Sequence, residues 1–530
     1  VSPSKQSSPK LAKSAATVSF AVMCSRVLGL IREQVFAGLF GAGYAYDSFV
    51  VAFRIPNLLR DLFGEGALSA AFVAVFSDYN ANRSREDTWR LASNVLCFFT
   101  VAVSLITLLG IYFAEDIVGV LAPDFGLVQG KAELTATMTM IMMPFLLFIS
   151  LGAVVMGVLN TRNRFFIPAL ASSFFNLGSI IGGTSLVFIL PRYGYPPIVG
   201  MAFGTLIGGF LQLAIQLPTL KREGFKFTPR LNLKDPGLLR ILKLMIPATI
   251  GLSATQINIF INTNFASSCA EGSVSWLNYA FRLVQLPIGL FGVAISIAAL
   301  PMLARQASQK KFEEMEHTFV SSLTMVFCLT LPATLGLIIL SEPIIRIIFE
   351  HGAFTALDTE ATAIALSLYG VGLFAYSANK VIVPVFYAVN ATRFPVIASF
   401  LAIGLNILII TNTIDLFQHR AIALSTSATM IINFIFLLTA LYIKIGGFSI
   451  KRLAGGLVKI GGASLVMGIA LFYIYRMVKQ QFETSLLYQS LLLFLLIGGA
   501  AFLYTIVLQL LGLPELTEIT TRLRQKFSRR

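Results

Sequence analysis

The stretch SRVLGLIREQVFAG, residues 25–38, carries Arg26, Arg32 and Glu33 inside an apolar run that extends from about residue 15 to about residue 40. Further apolar runs hold Asp47, Arg54, Arg60, Asp61 and Glu65, then Arg282 and Lys380. An ion at the centre of a bilayer costs on the order of 2.5–3.5 kcal/mol on insertion scales, so this set must face a wet cavity or an ionic partner. The surplus is cationic. Arginine suits a phosphate because its planar guanidinium makes two hydrogen bonds at once, so the chemistry indicated is the grip of a phosphate-bearing anion within the membrane.

Spacing divides the set. On an ideal helix Arg26 and Glu33 share a face while Arg32 points elsewhere, which predicts a tethered Arg26 and an Arg32 freer to meet a ligand. Asp47, Arg54 and Asp61 also share a face, and Pro56 between them is expected to kink their helix. Structural ion pairs that set helix register remain the alternative reading, strongest for Arg54 with Asp47. Lys380, a single cation that can snorkel or balance a helix C-terminus, is not assigned to a ligand.

The elements that position these residues are membrane spans. The 530 residues are 56% hydrophobic and 12% charged, with a mean hydropathy of +0.81, far from the roughly 25% charged residues of a soluble domain. An all-α polytopic membrane protein follows, with about fourteen spans centred near residues 28, 52, 101, 146, 179, 208, 253, 289, 328, 372, 403, 432, 464 and 497. The run lengths exclude a β-barrel, whose strands would alternate apolar and polar residues.

Alternate loops sort the basic residues. One side takes Lys5, Lys10, Lys13, the arginines near residues 83–90 and 162–164, the dense run 221–243 and the C-terminal tail; the other takes Lys131, Arg192, Arg346, Arg420, Arg476 and Lys479 with acids such as Glu115, Asp124, Glu271 and Asp358. The positive-inside rule then puts both termini in the cytoplasm. A net charge of +15 dispersed over such loops faces anionic headgroups and not nucleic acid. Residues 1–14 read as a polar tail. Residues 514–530 place Leu516, Ile519, Leu523 and Phe527 at helical spacing among arginines, an amphipathic segment for the inner leaflet. The four cysteines, Cys24, Cys97, Cys269 and Cys328, have no paired spacing and read as packing residues.

The chain repeats itself. AFRIPNLLRDLFGEGALSAAF, residues 52–72, overlays AFRLVQLPIGLFGVAISIAAL, residues 280–300, without a gap. At nearly the same offset Asn160 meets Asn390 and Asn176 meets Asn406. Two pseudo-symmetric six-helix lobes are expected, at residues 15–235 and 236–445, followed by a helix pair at 446–513. An even number of spans per repeat leaves both lobes in the same orientation, with a site between lobes that rock. Glycines at Gly41, Gly43, Gly64 and Gly66 fall at helix ends where hinges would lie. An enzyme is not indicated: His317, His351 and His419 are far apart, and no phosphate loop, Ser-His-Asp set or ATPase motif appears.

SRVLGLIRE, FGAGYAYDSFVVAFRIPNLLRDLFGEGALSAAFVAVF, NTRNRFFIPAL and GSVSWLNYAFRL closely resemble the MurJ (MviN) family of bacterial lipid II flippases in the MOP exporter superfamily. The resemblance runs over nearly the whole chain and implies two six-helix lobes plus a last pair that shapes a groove for the lipid tail. It implies a cationic cavity for the diphosphate and sugar-peptide headgroup of lipid II, and a place in the bacterial inner membrane beside cell-wall synthesis proteins. The family's substrate-binding arginines fall on Arg26, Arg32, Arg60 and Arg282. Cavity or gating roles fall on Arg54, Asp47, Glu65 and Glu33. Where some relatives have acids flanking the eighth-span arginine, this chain has Phe281 and Gln285. The acids through which some relatives bind sodium have no counterpart at 247–265 or 395–411, which speaks against sodium coupling and for a carrier reset by the membrane potential, with no cofactor. The alternatives are a flippase for another lipid-linked oligosaccharide and a multidrug exporter of the same superfamily, whose cavity for cationic drugs should be acidic.

Overall fold

Polar caps mark where the apolar runs become helices. Ser84 accepts the Asp87 amide, Asp235 accepts the amides of Gly237 and Leu238 with Pro236 in the first turn, and Thr355 with Asp358 forms a complete capping box. The computed structural model describes residues 8–64, 66–483 and 485–513, and among them there is no strand. Glu65 and the amphipathic segment expected at 514–530 lie outside the described residues.

The chain divides into two compact units, Val1–Val274 and Ser275–Arg530. The first contains α1 (Ser8–Phe40), α2 (Tyr44–Phe63), α3 (Ala67–Asn82), α4 (Arg85–Tyr112), α5 (Ala114–Leu121), α6 (Lys131–Met142), α7 (Phe145–Thr161), α8 (Phe166–Ile189), α9 (Val199–Ala214), α10 (Leu217–Arg222) and α11 (Pro236–Ser267). The second begins within α12 (Ser273–Pro287). It continues through α13 (Ala294–Ser308), α14 (Phe312–Ile339), α15 (Ser341–Phe349), α16 (Ala356–Val371), α17 (Leu373–Ala388), α18 (Arg393–Phe417), α19 (His419–Ile445), α20 (Ile450–Val478) and α21 (Leu486–Leu510).

Among the described residues ten helices or continuous helix pairs are long and apolar enough to cross a membrane, eleven if α16 and α17, bent by 43°, form one span. Every centre expected from the sequence falls in a helix or at a helix joint. The polar stretch before residue 15 is already helical from Ser8. Helix α11, expected in the second lobe, packs against α2, α3, α4 and α5 of the first unit. The last pair belongs to the second unit: α20 packs on α14, and Tyr504 of α21 donates its hydroxyl to the carbonyl of Cys328 at 2.7 Å.

The repeat is visible in the backbone, with a difference. Helix α2 runs unbroken past Pro56, ends at Phe63, and the chain restarts as α3 at Ala67. Gly64 is required at that break, because a Cβ there would lie 2.8 Å from the carbonyl oxygen of Arg60. In the second unit the equivalent LFG sits in a π-helical turn, Ile288–Val293, that widens the helix without ending it. The asparagine correspondence needs correction. The residues that leave α7 and α17 in left-handed conformation are Asn163 (φ 59°) and Asn390 (φ 54°), so Asn390 is matched by Asn163 and not by Asn160. Asn176 bonds the Ser25 carbonyl of α1, whereas Asn406 accepts from Ser425 of α19, so the two asparagines are used differently.

Helices α8 and α9 make the closest approach in the first unit. A Cβ on Gly204 would stand 2.5 Å from the Cα of Gly183, and one on Gly178 would stand 2.9 Å from the Cα of Gly208. Small residues let two backbones meet where no hydrophobic gain separates protein from lipid. Gly204→Leu should therefore destabilise the protein by about 1–3 kcal/mol or more, while Gly462→Leu on α20, with open space around it, should leave the melting temperature in detergent unchanged.

Candidate functional site

The first arginine cluster is built where α1, α2 and α8 meet. Arg32 is 7% exposed, and its Nη2 donates to Glu33 Oε1 at 2.8 Å. The other oxygen of Glu33 accepts from the hydroxyl of Tyr46 on α2 at 2.7 Å. The guanidinium lies 5.8 Å from the ring centre of Phe36 and 5.3 Å from that of Phe175. These two rings belong to a closed circuit: Phe36 meets Phe49, Phe49 meets Phe53, Phe53 meets Phe145, and Phe145 meets Phe175, with successive centroids 5.0, 6.2, 5.8 and 5.5 Å apart. Arg32 closes it.

This reverses the expectation from helix spacing. Arg32 is the tethered arginine and Arg26 the exposed one. The face shared by Arg26 and Glu33 is overruled because Tyr46 fixes the Glu33 carboxylate, and an arginine side chain is long enough to reach its sequence neighbour.

Asp47, at the start of α2, is 1% exposed. Its Oδ2 accepts from Lys131 Nζ of α6 at 3.1 Å and from the Gly272 amide at 2.9 Å. Lys131 is 3% exposed and stands 4.3 Å from the centre of Phe125. Placed among loop charges by the sequence, Lys131 is instead the buried partner of Asp47. No sequence signal could have found it, because the contact depends on where α6 begins in space. Nearby, Glu271 accepts the Tyr44 amide at 2.9 Å, and a Cβ on Gly43 would lie 3.1 Å from the same Glu271 oxygen. Gly41, with φ 63°, supplies the left-handed turn between α1 and α2.

At the other end of α2, Arg60 donates to Asp61 Oδ1 from Nη2 at 3.1 Å and from Nε at 3.3 Å. Gln256 of α11 donates to Asp61 Oδ2 at 2.8 Å. Arg54, between the two groups, is half-buried. Arg282 is half-buried on α12 in the second unit, after Phe281, whose ring meets Tyr369 and Tyr376. Lys380 is exposed on α17. The structure thus gathers Arg32 with Glu33, and Arg60 with Asp61, each as a local pair. Tyr46, Lys131 and Gln256 are the polar partners that sequence reasoning did not name.

The four thiols are free. Cys269, in the turn after α11, has its thiol pushed up to about 12 by burial, then by the nearby Asp124 carboxylate, which leaves it inert.

Residues 36–493 match the family model described as lipid II flippase MurJ. The probable lipid II flippase MurJ of Vibrio cholerae is 34% identical over 95% of this chain and 97% of its own length. The lipid II flippase MurJ of Burkholderia cenocepacia is 35% identical over 80% and 82%. Among solved structures, a lipid II flippase MurJ in an inward closed conformation superposes with a TM-score of 0.76 at 31% identity, over 92% of this chain and 97% of that one. MATE family transporters of the MOP superfamily share the fold at 15% identity over 82% of this chain. Their TM-scores are 0.69 for an inward-facing form, of which 98% is covered, and 0.58 for an outward-facing form, of which 96% is covered.

The Asp47–Lys131 pair generates a measurable expectation. Lys131→Met leaves a buried carboxylate uncompensated and should cost about 3–5 kcal/mol, whereas Asp47→Asn combined with Lys131→Met should recover most of that loss, read as thermal unfolding in detergent.

Proposed function

Because the chain belongs to the MurJ family of lipid II flippases, we propose that it moves lipid II from the cytoplasmic to the outer leaflet by alternating access, with Arg26, Arg32, Arg60 and Arg282 receiving the diphosphate. The observation that carries this reading is the placing of these arginines on long helices of a chain that matches the family over most of its length. An enzymatic reaction is not part of it: the headgroup is bound, carried and released unchanged.

The arginines divide the work by their surroundings. Arg26, exposed on α1, meets the incoming diphosphate first. Arg32, fixed by Glu33 and two rings, supplies a stationary positive field. Arg60 offers a guanidinium edge already oriented by Asp61. Arg282, on α12, is the fourth arginine of the set, and Glu65 keeps the gating role that the family resemblance implies. The fold shared with transporters captured in inward-facing and outward-facing forms supports alternation. The polyprenyl chain stays in lipid, where each buried methylene is worth about 0.8 kcal/mol, along α20 and α21.

Fourteen spans complete the reading. To the eleven apolar spans, counting α16 and α17 as one, we add α1, the α2–α3 pair and α11, the segments that carry most of the embedded ions. Helices α1 and α11, 33 and 32 residues long, reach about 50 Å at 1.5 Å per residue, more than a bilayer core of about 30 Å requires. Both termini then lie in the cytoplasm. With Arg32 balanced by Glu33 and Arg60 by Asp61, less charge is exposed to the transmembrane field than the arginine count suggests. One elementary charge crossing that field is still worth about 2.3 kcal/mol per 100 mV, enough to bias return of the empty carrier.

Alanine at Arg26, Arg32, Arg60 or Arg282 should each lower lipid II translocation in proteoliposomes at least about tenfold, equivalent to 1.4 kcal/mol. Retained transport in all four would overturn the reading. Collapsing the membrane potential at constant sodium gradient should arrest translocation; undiminished flux would remove the voltage step.

A further inference from the structure

Asp61 uses its two oxygens for different purposes. Oδ1 takes both hydrogen bonds from one edge of Arg60, formed by Nε and Nη2, and Oδ2 takes the amide of Gln256 on α11. The edge that Arg60 presents to Asp61 is the edge a guanidinium presents to a phosphate. An acid in this place occupies the grip that the ligand would use.

The environment allows exchange. The Arg60 and Asp61 side chains are 27% and 33% exposed, whereas those of Arg32 and Glu33 are 9% and 3%. A partly exposed ion pair is weak, while a buried one resists separation because each ion would lose its main compensation. Gln256 is only 9% exposed, so the amide that holds the far side of the carboxylate is itself fixed.

We propose that Asp61 is a resident counter-ion: it holds Arg60 in the empty carrier, yields it to the ligand's diphosphate, and reclaims it to promote release, while Gln256 retains the displaced carboxylate on α11. The proposal rests on the reading of lipid II as the ligand. Asp61 is a positioning residue and acts through Arg60. A doubly charged diphosphate outcompetes a single carboxylate for the guanidinium, and the carboxylate competes again once the headgroup meets water. The carrier gains turnover at the expense of affinity.

The test is equilibrium binding of fluorescent lipid II to the purified full chain in detergent, alongside translocation in proteoliposomes. Asp61→Asn and Asp61→Ala, each with a wild-type melting temperature, should bind lipid II about tenfold more tightly and turn over more slowly. Asp61→Glu should restore both values. A damaged fold does not bind its ligand better, so a gain in affinity separates this role from a structural one. Unchanged or weaker binding in both neutral variants would overturn the counter-ion role. Arg60→Ala decides what else falls with it: undiminished lipid II affinity in that variant removes Arg60 from the binding set, whereas weakened affinity there, with no gain on removing Asp61, sinks only the exchange.

Discussion

The constraint on which the first unit depends is the cost of an ion in a medium that cannot solvate it. Three acids on its helices are each met by two donors. Glu33 is met by Arg32 and Tyr46, Asp47 by Lys131 and the Gly272 amide, and Asp61 by Arg60 and Gln256. In each case one donor is a cation and the other a neutral group from a separate segment, so neutralisation and helix placement are achieved by the same contact. These carboxylates tie α2 to α1, to α6 and to α11.

The two halves of the repeat show how much latitude remains once the ions are settled. The motif that ends α2 at Phe63 widens the corresponding helix into a π-helical turn in the second unit. The sequence around that point explains the difference: the first copy follows LFG with Glu65 and Gly66, while the second follows it with Val293 and Ala294, which sustain a helix. Common ancestry is legible in the letters and in the left-handed turns at Asn163 and Asn390. The local conformations have nonetheless diverged.

Helix positions, membrane class and family were legible in the sequence because each is written in many residues at once. Apolar runs of about 20 residues tolerate error in any single position, and the quoted blocks match a family over long stretches. Ion pairing was not legible. Arg26 and Arg32 exchanged roles because the deciding contact, Tyr46 to Glu33, crosses between helices. Lys131 looked like a loop charge because nothing in GKAELTATM reveals that Asp47 waits beside it. Helical periodicity fixes where a side chain leaves the backbone; the partner that captures it is fixed by packing.

The aromatic circuit through Phe36, Phe49, Phe53, Phe145 and Phe175 links α1, α2, α7 and α8, and Arg32 is the only charged member. A closed ring of contacts behaves mechanically as a hoop. Shifting one of these helices would disturb ring contacts on both of its sides. The interruption at Gly64, between α2 and α3, lies outside this ring. Arg32 is the rivet of that hoop, so the position of its charge is tied to the packing of all four helices.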